Sequence, residues 1–287
     1  YKAQPLFLQK RYDDVIAIGN KILAQQKEGV AAQVYRMMAY SYMEKGDTAT
    51  AKQYVDQLFE KGKKADLVAK DVTLKASIYS KSNPDQVVGI YLTAASDDTT
   101  RNNKILILQE AIDWAKKANK KVPEADLKLA LFNIAGQNPA ALFQIGLPYY
   151  QGGAYQRADS VFKAYIAAFP DSLYGHYWSA KSLAALDPTL EKGLAVPAYQ
   201  KTLELAGLDK GRWKGPGVEA ALYLAGYNNN VKKDKENAIV FLQKGLEFDP
   251  ANGNLQAILK QLQTPAKSTP PVKKTSTSAN SAKGLKK

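Results

Sequence analysis

Residues 139–172 read PAALFQIGLPYYQGGAYQRADSVFKAYIAAFPDS. Leu142, Ile145 and Tyr149 recur at helical spacing, and after Gly153 so do Ala158 and Phe162. That spacing puts the apolar side chains of each half on one helix face. Gly153 marks the turn between the halves, where a positive φ is cheap only for glycine. Pro170 follows the second helix and stops it, because its ring cannot continue the hydrogen-bond ladder. The stretch therefore predicts two antiparallel helices. Gly146 and Ala158 are expected to meet at their crossing, where a larger side chain forces the helices apart; Ala158→Leu should cost about 1–3 kcal/mol.

Moving outward, a small or β-branched residue recurs every 33 to 43 positions, as Val15, Ala51, Val87, Ala125, Ala158, Ala195 and Ala238. Such a period is the mark of two-helix units that bury a continuous core only by leaning on their neighbours. A second clear copy starts at Ala32 and carries Tyr35, Met38, Ala39, Tyr42, Gly46, Ala51 and Val55. Together with Leu142, Ile145, Gly146, Tyr149, Ala158, Phe162 and Pro170, this pattern resembles the tetratricopeptide repeat, whose unit is about 34 residues long. The resemblance implies an all-α, right-handed solenoid of stacked antiparallel helix pairs.

Other copies are degenerate. Residues 74–95 fit with one residue missing, and 105–131 fit mainly through Ala125 and Leu129, with Pro123 near the turn. Residues 176–205 carry about three extra positions in the turn at 187–192, and 221–250 one extra near Lys233 before closing at Pro250. Insertions at turns leave helix packing intact. The expected organisation is a partial repeat over 1–31, repeats over 32–138, repeats with turn insertions over 139–263, and a tail over 264–287. Tyr12, Asp13, Asp14, Val15, Ile18 and Ile22 fit the second helix of a repeat whose first helix is missing or cut short. Tyr1 is not an initiator methionine, so the chain reads as a fragment or a processed product, and any signal segment would lie upstream.

Composition narrows the chemistry. The chain has 287 residues, of which 45% are hydrophobic, ample for a core, and no apolar run long enough for a membrane span. It has no cysteine and one histidine, His176, so thiolate chemistry and a histidine metal cluster have no residues to use. His176 falls where a repeat packs its neighbour and is read as structural. The pairs Asp13–Asp14 and Asp97–Asp98 lack calcium-loop spacing and read as solvated helix ends. The glycines between 207 and 217 lack the lysine and hydroxyl of a phosphate loop. No enzyme activity, cofactor or metal is expected.

The net charge is +13, and the segment 264–287 supplies six of those charges through Lys267, Lys273, Lys274, Lys283, Lys286 and Lys287, with no acid. Serine, threonine, proline and lysine dominate it, which predicts a disordered basic tail. A weak contact with an anionic surface is open to such a tail. No aromatic residue interleaves the lysines, which argues against specific nucleic-acid binding. Between residues 206 and 218, Trp213 flanked by Arg212 and Lys214 is either an exposed anchor or folded onto the adjacent repeat; its large area favours the latter.

In the resembled family, the outward row of each first helix lines a concave groove. Carried over, this row is Gln33, Arg36, Tyr40 and Met43; then Ala140, Phe143, Leu147 and Tyr150; then Tyr174, Tyr177, Lys181 and Ala184. The candidate partner-binding residues are Arg36, Tyr40, Met43, Phe143, Leu147, Tyr150, Tyr174, Tyr177 and Lys181. Aromatic and arginine side chains are the types enriched at binding hot spots. For Tyr150 and Tyr177, packing between neighbouring helices is equally open, whereas Arg36 and Lys181 belong in the groove because an unpaired buried charge is costly. The lysine, asparagine and arginine set with which some family members hold a partner's C-terminal carboxylate is missing from these rows. Pro148, inside the first helix of the best copy, is expected to remove one backbone bond and kink the helix, at about 3 kcal/mol; widening of the groove and tolerated drift are both open.

The expected function is a non-catalytic scaffold binding a peptide or partner helix. The alternatives are a surface tether acting through the tail, or a docking arm of a larger protein. The runs at 177–188 and 230–235 resemble bacterial repeat proteins exported to the envelope, which implies a periplasmic or envelope-associated location.

Overall fold

The computed structural model describes residues 3–25, 30–62, 66–136 and 138–264. Among these residues the chain forms fifteen α-helices and no strand. A short α1 (Ala3–Leu8) precedes α2 (Tyr12–Gln25). Hairpins follow as α3 (Ala32–Glu44) with α4 (Thr48–Lys61), α5 (Ala69–Ser82) with α6 (Val87–Asp97), and α7 (Arg101–Lys117) with α8 (Lys121–Ala135). Then come α9 (Ala141–Gln151) with α10 (Tyr155–Ala168), α11 (Leu173–Leu186) with α12 (Val196–Gly207), and α13 (Lys214–Tyr227) with α14 (Lys235–Phe248). The last helix is α15 (Gly253–Gln263). Each helix packs mainly on its neighbours in sequence, which makes the fold an α-solenoid.

The recurring small residues explain the stacking. Val15, Ala51, Val87, Ala125, Ala158, Ala195 and Ala238 all lie near the start of a second helix, or just before it, and none is more than 1% exposed. The contact at Gly146 differs from the expected one. A Cβ there would come within 2.6 Å of the Phe162 ring, one turn beyond Ala158, so the missing side chain makes room for an aromatic ring. Gly217 repeats the arrangement, 2.6 Å from the ring of Phe248.

The turns follow one backbone rule with different residues. Gly46 at φ 82° and Gly153 at φ 78° take the left-handed conformation between the helices of their hairpins. Asn119 takes it between α7 and α8, and Lys233 takes it between α13 and α14. The extra residue near Lys233 is absorbed by a π-helical turn, Asn228–Lys232, which extends α13 without disturbing α14. In the longer turn between α11 and α12, the buried Asp187 carboxylate accepts from the backbone N–H groups of Lys192 and Leu194, both at 3.3 Å. α10 and α14 each end two residues before their prolines, Pro170 and Pro250.

Outward faces are polar where the stack ends. α15 buries Leu255 under α14 and turns Asn254, Gln256, Lys260 and Gln261 to water. No helix among the described residues is long and apolar enough to cross a membrane. The expected basic tail lies, from residue 265 onward, outside the described residues.

Candidate binding face

The first helices α3, α5, α7, α9, α11 and α13 form one row, and the predicted residues on α3, α9 and α11 belong to it. The structure gathers those of α9 and α11 into one aromatic wall. Tyr150 meets Trp178 edge-on at 5.0 Å between ring centroids, Trp178 meets Tyr177 at 5.7 Å, and Tyr155 closes on Tyr150 at 5.4 Å. Nearer the start of both helices, Phe143 lies 6.0 Å from Tyr174 and 5.6 Å from Tyr165. Such pairs add about 0.5–1.5 kcal/mol each beyond their area burial. Tyr174 stays 46% exposed, while Phe143, Leu147, Tyr150 and Tyr177 are half-buried. Ala140 precedes α9 and is exposed; Ala184 is half-buried on α11.

Trp213 joins this wall by folding back. Its ring stands edge-on to Tyr174 at 5.1 Å, and the Arg212 guanidinium lies 4.5 Å from its centroid. Trp178, which carries the contact between α9 and α11, has no place among the predicted groove positions. Its neighbours Phe162 and Tyr150 sit on different helices, so its role shows only once the hairpins are stacked.

The α3 residues are separated from this wall by α5 and α7. Arg36 donates to Asp71 of α5 through Nε at 2.5 Å and Nη2 at 2.7 Å, to Gln33 Oε1 at 2.7 Å and to the Asp66 carbonyl at 3.0 Å. Asp71 is fully buried and also accepts from the Val68 N–H at the start of α5. The hydrogen bond that Arg36 donates to Asp71 raises its pKa despite burial. Arg36 is thus a tie between adjacent first helices, with four hydrogen bonds donated from its five N–H groups. Tyr40 lies 6.0 Å from Phe7 of α1, and Met43 sulfur accepts from Ser77 Oγ of α5.

Lys181 repeats the tie at the other end of the row. Its Nζ lies 3.0 Å from Glu219 Oε1 on α13 and 5.2 Å from the Tyr177 ring centroid. Two phenols converge on the same carboxylate: Tyr177 donates at 2.5 Å and Tyr199 at 2.9 Å. Burial first, and then Glu219 through its hydrogen bond and its charge, push the Tyr177 phenol up to about 12 and raise Tyr199 as well. The two cations assigned to the groove are therefore both matched by a carboxylate one repeat onward. Arg36 and Asp71 are 35 residues apart, Lys181 and Glu219 38, so opposite charges at the repeat period were the available signal.

Pro148 is buried inside α9, which continues to Gln151 with no break. The missing proline N–H leaves the Gln144 carbonyl without its helical donor. Lys128 of α8 supplies the replacement, donating to that carbonyl at 3.2 Å while it pairs with Glu124 at 2.6 Å. His176 is held by its own loop, with Nε2 2.8 Å from the Pro170 carbonyl.

The sequence profile of the tetratricopeptide repeat matches residues 140–172. No curated protein matches the chain. Among solved structures, the C-terminal part of a TPR repeat-containing protein from Cytophaga hutchinsonii is 24% identical, covering 89% of this chain and 97% of that one, with a TM-score of 0.49. The TPR2AB domain of yeast Sti1, solved as a complex with pHSP90, is 18% identical over 91% of this chain and 93% of that one, at a TM-score of 0.37. MamA from Desulfovibrio magneticus is 16% identical over 78% and 98%, at 0.35.

Proposed function

We propose that this tetratricopeptide-repeat chain is a non-catalytic scaffold that grips a peptide or partner helix along its row of first helices. The observation that carries this is the aromatic wall of α9 and α11. Tyr174, Tyr150 and Leu147 present apolar area there that neighbouring helices cover only in part. Rigid aromatic side chains supply contact area at small entropic cost, which suits them to anchoring a partner. Arg36 serves this function indirectly, by fixing α3 against α5.

Envelope location belongs to the same proposal and is checked by fractionating native cells. The tether alternative rests on residues beyond 264. To test the scaffold, the purified chain is used to capture partners from its native host, with Tyr150→Ala and Tyr174→Ala as variants. Hot-spot truncation costs about 2 kcal/mol or more, so capture should fall by at least about tenfold while circular dichroism is unchanged. Undiminished capture by both variants removes the wall from the binding surface. Loss of capture only on deleting residues 265–287 transfers the function to the tail.

A further inference from the structure

Neighbouring first helices are tied directly along the row, with one exception. Phe7 meets Tyr40 between α1 and α3, Arg36 meets Asp71 between α3 and α5, and Thr73 donates to Glu110 between α5 and α7. Tyr150 meets Trp178 between α9 and α11, and Lys181 meets Glu219 between α11 and α13. Among the described residues, no hydrogen bond, ion pair or ring contact joins α7 to α9. A cavity of about 420 Å³ lies between them instead. That volume falls within the range of ligand pockets.

Its chemistry is mixed in an ordered way. Ile112, Leu131 and Ile145 give an apolar floor, and the side-chain amides of Gln109 and Gln144 stand on opposite walls. Lys128 also lines it. An ammonium has three donors; Glu124 and the Gln144 carbonyl take two of them, and the third remains for an incoming acceptor. Lys116 lies on the wall with Asp113; beyond the lining, Lys117 ends α7 and Lys120 follows in the adjoining turn. Those three lysines make no ion pair among the described residues, against the single wall carboxylate Asp113, while Lys121 and Lys128 share the one carboxylate of Glu124.

We infer that the α7–α9 cleft is a docking seat for an acidic, leucine-bearing segment of a protein partner. An apolar side chain covers the floor, and its carboxylate neighbours meet Lys116 and the spare donor of Lys128. Net positive charge around an apolar floor selects against basic segments and speeds encounter with acidic ones. This rests on the first-helix face being the binding side, and it names a subsite distinct from the aromatic wall.

The test uses the full chain with methyl-labelled isoleucine and ring-labelled tyrosine and tryptophan, and an eight-residue peptide alternating leucine and glutamate. Controls are the same peptide with glutamine or lysine in place of glutamate. The glutamate peptide should shift the Ile112 and Ile145 methyl signals, the lysine peptide should not, and Lys116→Glu should weaken binding about fivefold or more. Asp113→Asn, which removes the opposing charge, should strengthen it. Equal binding of the glutamine peptide overturns the charge assignment. Shifts at Tyr150 and Trp178 alone overturn the cleft and leave the aromatic wall standing. No shift at either place overturns the cleft, and the capture experiment on Tyr150 and Tyr174 then decides the wider proposal separately.

Discussion

Lys128 stands in for the N–H that Pro148 lacks: its ammonium, 3.2 Å from the Gln144 carbonyl, satisfies the acceptor that a proline in α9 strands. The helix survives its proline because a side chain from the preceding hairpin completes the backbone bonding.

Lys128→Met is expected to destabilise the fold by about 1–3 kcal/mol, since it strands the Gln144 carbonyl and leaves the buried Glu124 carboxylate only Lys121, at 3.8 Å. Pro148→Ala restores the helical N–H, so the double variant should recover at least about 1 kcal/mol of coupling. Urea unfolding of the four proteins in the cycle measures this; strict additivity would show that the lysine does not serve the carbonyl.

Arg36→Ala and Lys181→Ala should differ sharply although the two residues occupy the same row. Removing Arg36 leaves a fully buried carboxylate unpaired, at about 3–5 kcal/mol. Glu219 is 36% exposed at its side chain and keeps two tyrosine donors, so removing Lys181 should cost about 1 kcal/mol or less. Comparable losses in thermal unfolding would contradict the burial difference on which the argument stands.

Gly146→Ala should destabilise, although alanine favours helix by about 1 kcal/mol over glycine. The new Cβ meets the Phe162 ring at 2.6 Å, and overpacking of that kind costs about 1–3 kcal/mol. Phe162→Leu is damaging alone, yet combined with Gly146→Ala it should be less harmful than the sum. Calorimetry on the three variants reads the sign directly.

Alkaline stability should fall late and steeply. Burial, followed by nearby Glu110 and Glu219, raises the Tyr91 and Tyr177 phenols to about 12, above the ordinary value near 10. Between those values the native state holds protons that the unfolded chain has released. The stabilisation is complete below about pH 10 and disappears as pH rises through about 12. Tyr177→Phe should lower the neutral-pH plateau by about 1 kcal/mol and make the alkaline decline shallower. An unchanged slope in urea midpoints against pH would refute this.

Much of the architecture was legible because one steric rule repeats along the chain. A small residue at Ala51, Ala125, Ala158 or Ala238 must lie in a helix crossing, and each is fully buried. The turn glycines at 46 and 153 were legible for a similar reason, since only the backbone decides there. Asn119 and Lys233 take the same conformation without glycine's signature, and the π turn at Asn228–Lys232 appeared in the sequence only as one surplus residue. The face was harder to read. Whether Arg36 or Lys181 is open to a partner depends on the residue facing it from the next hairpin, and Asp71 and Glu219 became relevant only when stacking brought them close. Lys128 was invisible as a helix-completing donor because its acceptor is created by a proline twenty positions away.

The untied joint between α7 and α9 also bears on how the ribbon deforms. There α8 packs on both α7 and α9 and holds the seam from the second-helix side, while the first-helix side carries no direct tie. Anything that wedges into that open side acts on the angle between the two arms. The end-to-end span of the solenoid is then a gauge of whether that seam is filled.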